Sequence, residues 1–118
     1  MTHIEFDKMV KALAKEGNLI LDEMSGRQMH EMHMAIGVSG EAGELLDAVK
    51  KNCIYQKPLD LENVIEELGD LEFYMEGLRQ SLNITREQTI EANIAKLGKR
   101  YSSGTYSNDQ AQQRADKQ

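Results

Sequence analysis

A chain of 118 residues with a single cysteine has room for one hydrophobic core and cannot form an internal disulfide. Its formal net charge of -6 argues against a nucleic-acid-binding surface, which depends on basic patches that release counterions. It leaves room for a nucleotide that arrives with metal ions. No apolar run approaches the ~20 residues that cross a bilayer, and Met1-Thr2-His3-Ile4-Glu5 lacks the basic flank and apolar region of a secretory signal, so a cytoplasmic protein without a membrane partner is expected.

The first predicted helix opens at a capping box, Thr2-x-x-Glu5, and runs to about Lys15, with Phe6, Met9, Val10 and Leu13 on one face. Gly17-Asn18 reads as its stop, and Leu19 to Met24 as a connector whose Ile20 and Leu21 fold back onto the core. A second box, Ser25-x-x-Gln28, starts a long helix carried to about Ile54, with Met29, Met32, Ile36, Leu46, Val49 and Cys53 as its apolar side. Pro58 cannot continue a helix and Asp60 is suited to cap the next one, so an antiparallel hairpin follows. Its second arm spans about Leu61 to Leu82, with Val64, Leu68, Leu71, Met75, Leu78 and Leu82 as the core set. Thr85-x-x-Gln88 opens a fourth helix striped by Ile90, Ile94 and Leu97. From Ser102 the chain is polar and reads as a tail, disordered unless a partner holds it. Nothing alternates in the manner of a strand. The expected architecture is all-α: a four-helix bundle-like domain over residues 1–101, built on the hairpin, followed by the 102–118 tail.

Two acidic clusters carry the chemistry: Gly40-Glu41-Ala42-Gly43-Glu44 on the first hairpin arm and Glu66-Glu67-Leu68-Gly69-Asp70 on the second. Glu41 with Glu44, and Glu67 with Asp70, stand three residues apart, so each pair lies on one side of its helix. Counted from Pro58, Glu44 is 14 residues before it, while Glu67 and Asp70 are 9 and 12 after it. At ~1.5 Å per residue the pairs meet with at most about a turn of stagger. Four converging carboxylates repel unless a cation lies between them, and oxygen ligands select Mg²⁺, Mn²⁺ or Ca²⁺. Gly43 and Gly69 each cost helix propensity of roughly 1 kcal/mol, which close approach of a helix or a phosphate would explain.

Other candidates carry less. His30 and His33 project near the acidic side of their helix and, with Tyr74, could line a base pocket; a half-buried or interface histidine explains the two His equally well. Lys96 and Arg100 share one face with Asn93 a turn earlier, either as a phosphate clamp or simply as cations at a helix C-terminus. Lys50 and Lys51 are weaker candidates for the same role, and His3, Cys53 and the methionines read as structural. Glu-x-x-His is missing, against a ferritin-like di-iron centre, as is any Cys/His cluster for zinc.

At Gly40-Glu41-Ala42-Gly43-Glu44 and Glu66-Glu67-Leu68-Gly69-Asp70 the chain resembles the MazG-like all-α nucleoside triphosphate pyrophosphohydrolases, whose pattern is E-E-x-x-E, a spacer, then E-x-x-D. Glu41, Glu44, Glu67 and Asp70 match that pattern. Asn93-Ile94-Ala95-Lys96-Leu97-Gly98-Lys99-Arg100-Tyr101 resembles the family's N-x-x-K-L-x-x-R-Y segment, and His33-x-x-x-Gly37-x-x-Gly40-Glu41 resembles short single-domain members, including those of phages. The pattern's first acid is Gly40 here, so the site works with fewer groups or recruits Glu66, which points about 100° from Glu67. The usual Pro after Arg-Tyr is Ser102.

The resemblance implies a hydrolase that converts a (deoxy)nucleoside triphosphate to the monophosphate and pyrophosphate. Glu41, Glu44, Glu67 and Asp70 would bind Mg²⁺, with Mn²⁺ as a substitute, and Glu41 or Glu44 would orient or deprotonate water. Asn93, Lys96 and Arg100 would hold phosphates. It also implies a homodimer or homotetramer in which a neighbouring chain completes the pocket. The alternatives are a non-catalytic acidic helical interaction module, or a hydrolase of another phosphorylated nucleotide such as an alarmone or a nucleoside diphosphate derivative.

Overall fold

The computed structural model describes residues 1–118, and its only regular elements are helices, with no strand. The capping residues act where the sequence places them. Thr2, Ser25 and Thr85 each accept from the backbone N–H three residues on, with Glu5, Gln28 and Gln88 reaching back to the cap, and start α1 (His3–Leu13), α3 (Gly26–Cys53) and α5 (Arg86–Arg100). Asp60 caps α4 (Leu61–Ser81) through Asn63 N–H at 3.1 Å. Between α3 and α4 the chain turns through Gln56, at a left-handed φ of 54°, and Asn52 Nδ2 donates to Lys57 O at 2.8 Å, tying the end of α3 to the turn.

Two segments differ from the sequence expectation. Gly17-Asn18 opens a helix instead of stopping one: α2 (Gly17–Glu23) replaces the expected connector, and Ile20 and Leu21 lie exposed. The polar tail is folded as well, into a short α6 (Asn108–Gln113) capped by Ser107 and a 3-10 turn, η1 (Ala115–Lys117), both packed on α5.

The organising contact is α3 against α4. Residues withdrawn from solvent on α3 include Glu31, Met34, Val38, Glu41, Leu45, Ala48 and Asn52; on α4 they include Val64, Glu67, Leu71, Tyr74, Leu78 and Ser81. Both series alternate steps of three and four, the spacing of a coiled-coil seam. Two glycines set how closely the arms approach: a Cβ at Gly37 would collide with the Tyr74 ring, and one at Gly77 with Met34 Sδ. Gly37 thus lies opposite Tyr74 and Gly77 opposite Met34, which fixes an antiparallel register.

The rest of the expected core is not covered. Phe6, Met9, Val10 and Leu13 of α1, Met29, Met32, Ile36, Leu46, Val49 and Cys53 of α3, Leu68 of α4 and Leu82 just after it are all exposed. The reason is geometric: α1, α2 and α5 do not lie along the hairpin, so the more apolar stripe of α3 has nothing to pack against. The radius of gyration is 20.2 Å, against about 13.5 Å for a compact chain of this length. Only Met34, Ala48 and Glu67 are buried, and none of them completely, and within one chain the bundle stays open.

Candidate metal centre

One of those three buried residues is a carboxylate. Glu67 occupies a seam position of α4, where the heptad spacing calls for an apolar side chain, and faces Glu41 at a seam position of α3. Asp70, one turn further along α4, leans to the same place from the exposed edge. One carboxylate oxygen from each of Glu41, Glu67 and Asp70 lies within 4.8 Å of the others. Glu67 Oε2 is buried without any hydrogen-bond partner, a costly state for an acceptor.

The electrostatics follow from that crowding. The Glu67 carboxyl is pushed up from 4.5 to about 7, first by a hydrogen bond to Glu41 that only its protonated form can donate, then by burial, then by the negative charges of Glu41, Glu44 and Asp70. A divalent ion removes the cause. Oxygens around Mg²⁺ at about 2.1 Å stand about 2.9 to 4.2 Å apart, and those around Ca²⁺ at about 2.4 Å spread to about 4.8 Å. A hard, all-oxygen set with one orphaned buried acceptor fits such an ion.

Glu44 lies a turn further along α3, exposed and outside this triangle, yet close enough for its charge to act on Glu67. Glu66 is exposed. Gly40, Gly43 and Gly69 meet nothing within 4 Å, so it is not the chain's own second helix that needs small residues beside the acids. The sequence reading missed that this role falls to Gly37 and Gly77.

The hairpin also places the base-pocket candidates. The His33 and Tyr74 ring centroids are 6.3 Å apart, and Phe73 meets Tyr74 edge-on at 5.2 Å. His30 lines a separate recess of about 360 Å³ with Met34, Phe73, Glu76, Gly77 and Gln80. Lys50 and Lys51 are engaged elsewhere, Lys50 5.5 Å from the Tyr55 ring centroid and Lys51 3.1 Å from Asp47.

The phosphate-clamp candidates stand apart from the acids. Asn93 and Lys96 are exposed on α5, and a recess of about 190 Å³ there is formed by Ala95, Lys96, Lys99, Asp116 and Lys117, with no residue of α3 or α4. Arg100 is held by Asp116, Nε to Oδ1 at 2.8 Å and Nη2 to Oδ2 at 3.2 Å. That pairing holds the Asp116 carboxyl below its ordinary range and raises Arg100 further. Sequence reasoning had no signal for Asp116, since the ion pair joins residues 16 apart across a polar tail.

With this geometry established, the family model of the MazG nucleotide pyrophosphohydrolase domain matches residues 28–104. The chain belongs to the MazG family. The match takes in the whole α3/α4 hairpin from Gln28 onward, the three converging carboxylates and all of α5, and ends before α6. No curated protein and no solved structure gave a significant match. A MazG domain marks the chain as a nucleotide pyrophosphohydrolase in general class, and no helix in it is long and apolar enough to cross a membrane.

Proposed function

We propose that the protein is a Mg²⁺-dependent hydrolase that cleaves a (deoxy)nucleoside triphosphate to the monophosphate and pyrophosphate, and that it works as a homo-oligomer. The observation that carries the reading is the triangle of Glu41, Glu67 and Asp70 oxygens within 4.8 Å, one of them at a buried seam position. A structural seam would place an apolar residue there; a metal site needs the acid.

Glu41, Glu67 and Asp70 would hold the ion, with Mn²⁺ able to substitute. When bound, the ion neutralises phosphate oxygens and makes a nearby water more acidic. Glu44, exposed a turn along α3, would orient that water by accepting its hydrogen bond, or take its proton, with Glu41 as the other candidate. Lys96 and Arg100 would stabilise the charge that develops on the leaving pyrophosphate, and Asn93 would add a hydrogen bond. The open space at Gly40, Gly43 and Gly69 leaves room for phosphate oxygens or a neighbouring backbone to approach the acids closely.

The oligomer rests on two observations: the α3 stripe of Met29, Met32, Ile36, Leu46 and Val49 is exposed, and α5, with its cations, does not lie along the chain's own hairpin. A second copy seated on the stripe would cover apolar surface that one chain leaves to water. It would also bring an α5 toward the acids. A dimer or a tetramer satisfies both.

The test is product analysis. Incubation with canonical and deoxynucleoside triphosphates plus Mg²⁺ should release monophosphate and pyrophosphate in equal amounts, and nothing when a chelator is present. Release of orthophosphate and diphosphate, or turnover indifferent to the chelator, would contradict the proposal.

A further inference from the structure

The ion pair between Arg100 and Asp116 is the most withdrawn charged contact outside the hairpin: the Asp116 side chain is only 4% exposed and that of Arg100 17%. A guanidinium presents its N–H groups as a rigid fork, and the edge made by Nε and one Nη is the edge that takes a carboxylate or a phosphate by two parallel hydrogen bonds. Asp116 occupies that edge with both of its oxygens. A phosphate cannot use the same edge while Asp116 is there.

What surrounds the pair is basic. Lys96, Lys99 and Lys117 line the recess with Asp116, the sole acid among its residues. A single carboxylate therefore answers several cations. Inorganic oligophosphates carry more negative charge than one carboxylate and offer more acceptor oxygens, so they satisfy the same cations more fully.

The segment that delivers Asp116 is lightly built. α6 has 6 residues and η1 has 3, both far shorter than a helix that persists alone in water. Beyond the ion pair, the tail is held by Gln110, which bonds Ser103 Oγ at 3.1 Å and Ser102 Oγ at 3.4 Å, by the Tyr101–Tyr106 ring contact at 5.7 Å and by half-buried Ala111 and Ala115, with no fully buried side chain among them. It also lies beyond the residues matched by the family model.

We propose that Asp116 is a resident stand-in for phosphate, and that the C-terminal turn occupies an oligophosphate site on α5 until a substrate or product phosphate displaces it. The inference rests on the reading of Lys96 and Arg100 as phosphate-binding residues. The tail acts as an internal competitor, so the site's apparent affinity equals its intrinsic affinity multiplied by the fraction of molecules in which Arg100 is free.

The test uses the full-length protein and inorganic tripolyphosphate, titrated calorimetrically, so that binding is read without hydrolysis. Asp116→Asn should bind about tenfold more tightly than the wild type, and adding Arg100→Gln should abolish the gain. Asp109→Asn removes an exposed acid from the same tail and should leave affinity nearly unchanged, which separates local competition from a general loss of negative charge. Hydrogen exchange at residues 114–118 should quicken when tripolyphosphate is added to the wild type. Equal or weaker binding by Asp116→Asn, an equal gain in Asp109→Asn, or slower exchange in the tail on adding ligand would overturn the proposal. Nucleotide turnover measured alongside separates the two readings: an inactive protein whose Asp116→Asn variant binds more tightly loses the hydrolase reading and keeps the gate, and an active one without the gain loses only the gate.

Discussion

The two long faces of the hairpin invert the usual relation between polarity and burial. The inner seam contains Glu31, Glu41, Asn52 and Glu67 and is withdrawn from solvent; the outer stripe of Met29, Met32, Ile36, Leu46 and Val49 is more apolar and faces water. A chain optimised to fold alone would place the apolar stripe inside. The seam instead brings acids together, with Gly37 and Gly77 allowing the arms close enough to do it, while the stripe is left exposed. The proposed chemistry uses the inside of the hairpin and the proposed assembly uses the outside.

The largest effect should come from breaking the seam's chemistry without its packing. Glu67→Gln keeps the shape and removes the charge. We expect Mg²⁺-dependent pyrophosphate release to fall by roughly 10²- to 10³-fold while the circular dichroism spectrum stays helical, and the same for Asp70→Ala. Glu44→Ala, outside the triangle, should lower turnover while leaving Mg²⁺ affinity nearly intact, which separates water orientation from ion binding.

A charge on the outer stripe tests the other face. Ile36→Asp would bury an unpaired carboxylate between copies at a cost of several kcal/mol, about 100-fold or more in the dissociation constant. Sedimentation should show smaller assemblies than the wild type at equal concentration; an unchanged distribution would take the stripe out of the interface.

Glycine substitutions give smaller, opposite signs on the two faces. Gly37→Ala forces the Tyr74 ring aside and should destabilise by about 1–3 kcal/mol in chemical denaturation. Gly43→Ala has open space around it and should gain up to about 1 kcal/mol of helix propensity. If Gly43→Ala gains stability but loses turnover, the space is used by substrate or a second chain.

A further effect is in pH. With Glu67 raised from 4.5 to about 7, the folded metal-free protein holds a proton that the unfolded chain releases earlier, so its stability should decline as pH rises from about 4.5 to about 7 and level off above. Mg²⁺ displaces that proton, so its affinity should climb through the same window. Melting temperatures across pH, with and without Mg²⁺, check both signs; a metal-free protein that gains stability over that range would contradict the assignment to Glu67.

The hairpin was legible because its ends are set by local chemistry: Ser25 and Asp60 as caps, Pro58 as the break, and a constant rise per residue that brings the two acidic pairs within about a turn of each other. The seam was less legible. α3 carries two stripes, and ranking by hydrophobicity picks Met32, Ile36 and Leu46, which belong to the face that α4 does not touch. Spacing paired Glu41 with Glu44 but could not say that Glu41, Glu67 and Asp70 are the three whose oxygens converge, since that depends on which side of α3 the partner helix takes. α2 was missed because Gly17-Asn18 reads as a stop when it stands at a start. The folded tail was missed because the ion pair that ties its end to α5, Asp116 to Arg100, is encoded in no periodicity.

Calorimetric titration of Mg²⁺ into the wild type and into Glu67→Gln tests the metal centre most directly. The wild type should bind with a defined stoichiometry and release protons near pH 7, and Glu67→Gln, equally helical, should bind at least tenfold more weakly with little proton release. Identical isotherms for the two proteins would mean that the three carboxylates do not share an ion.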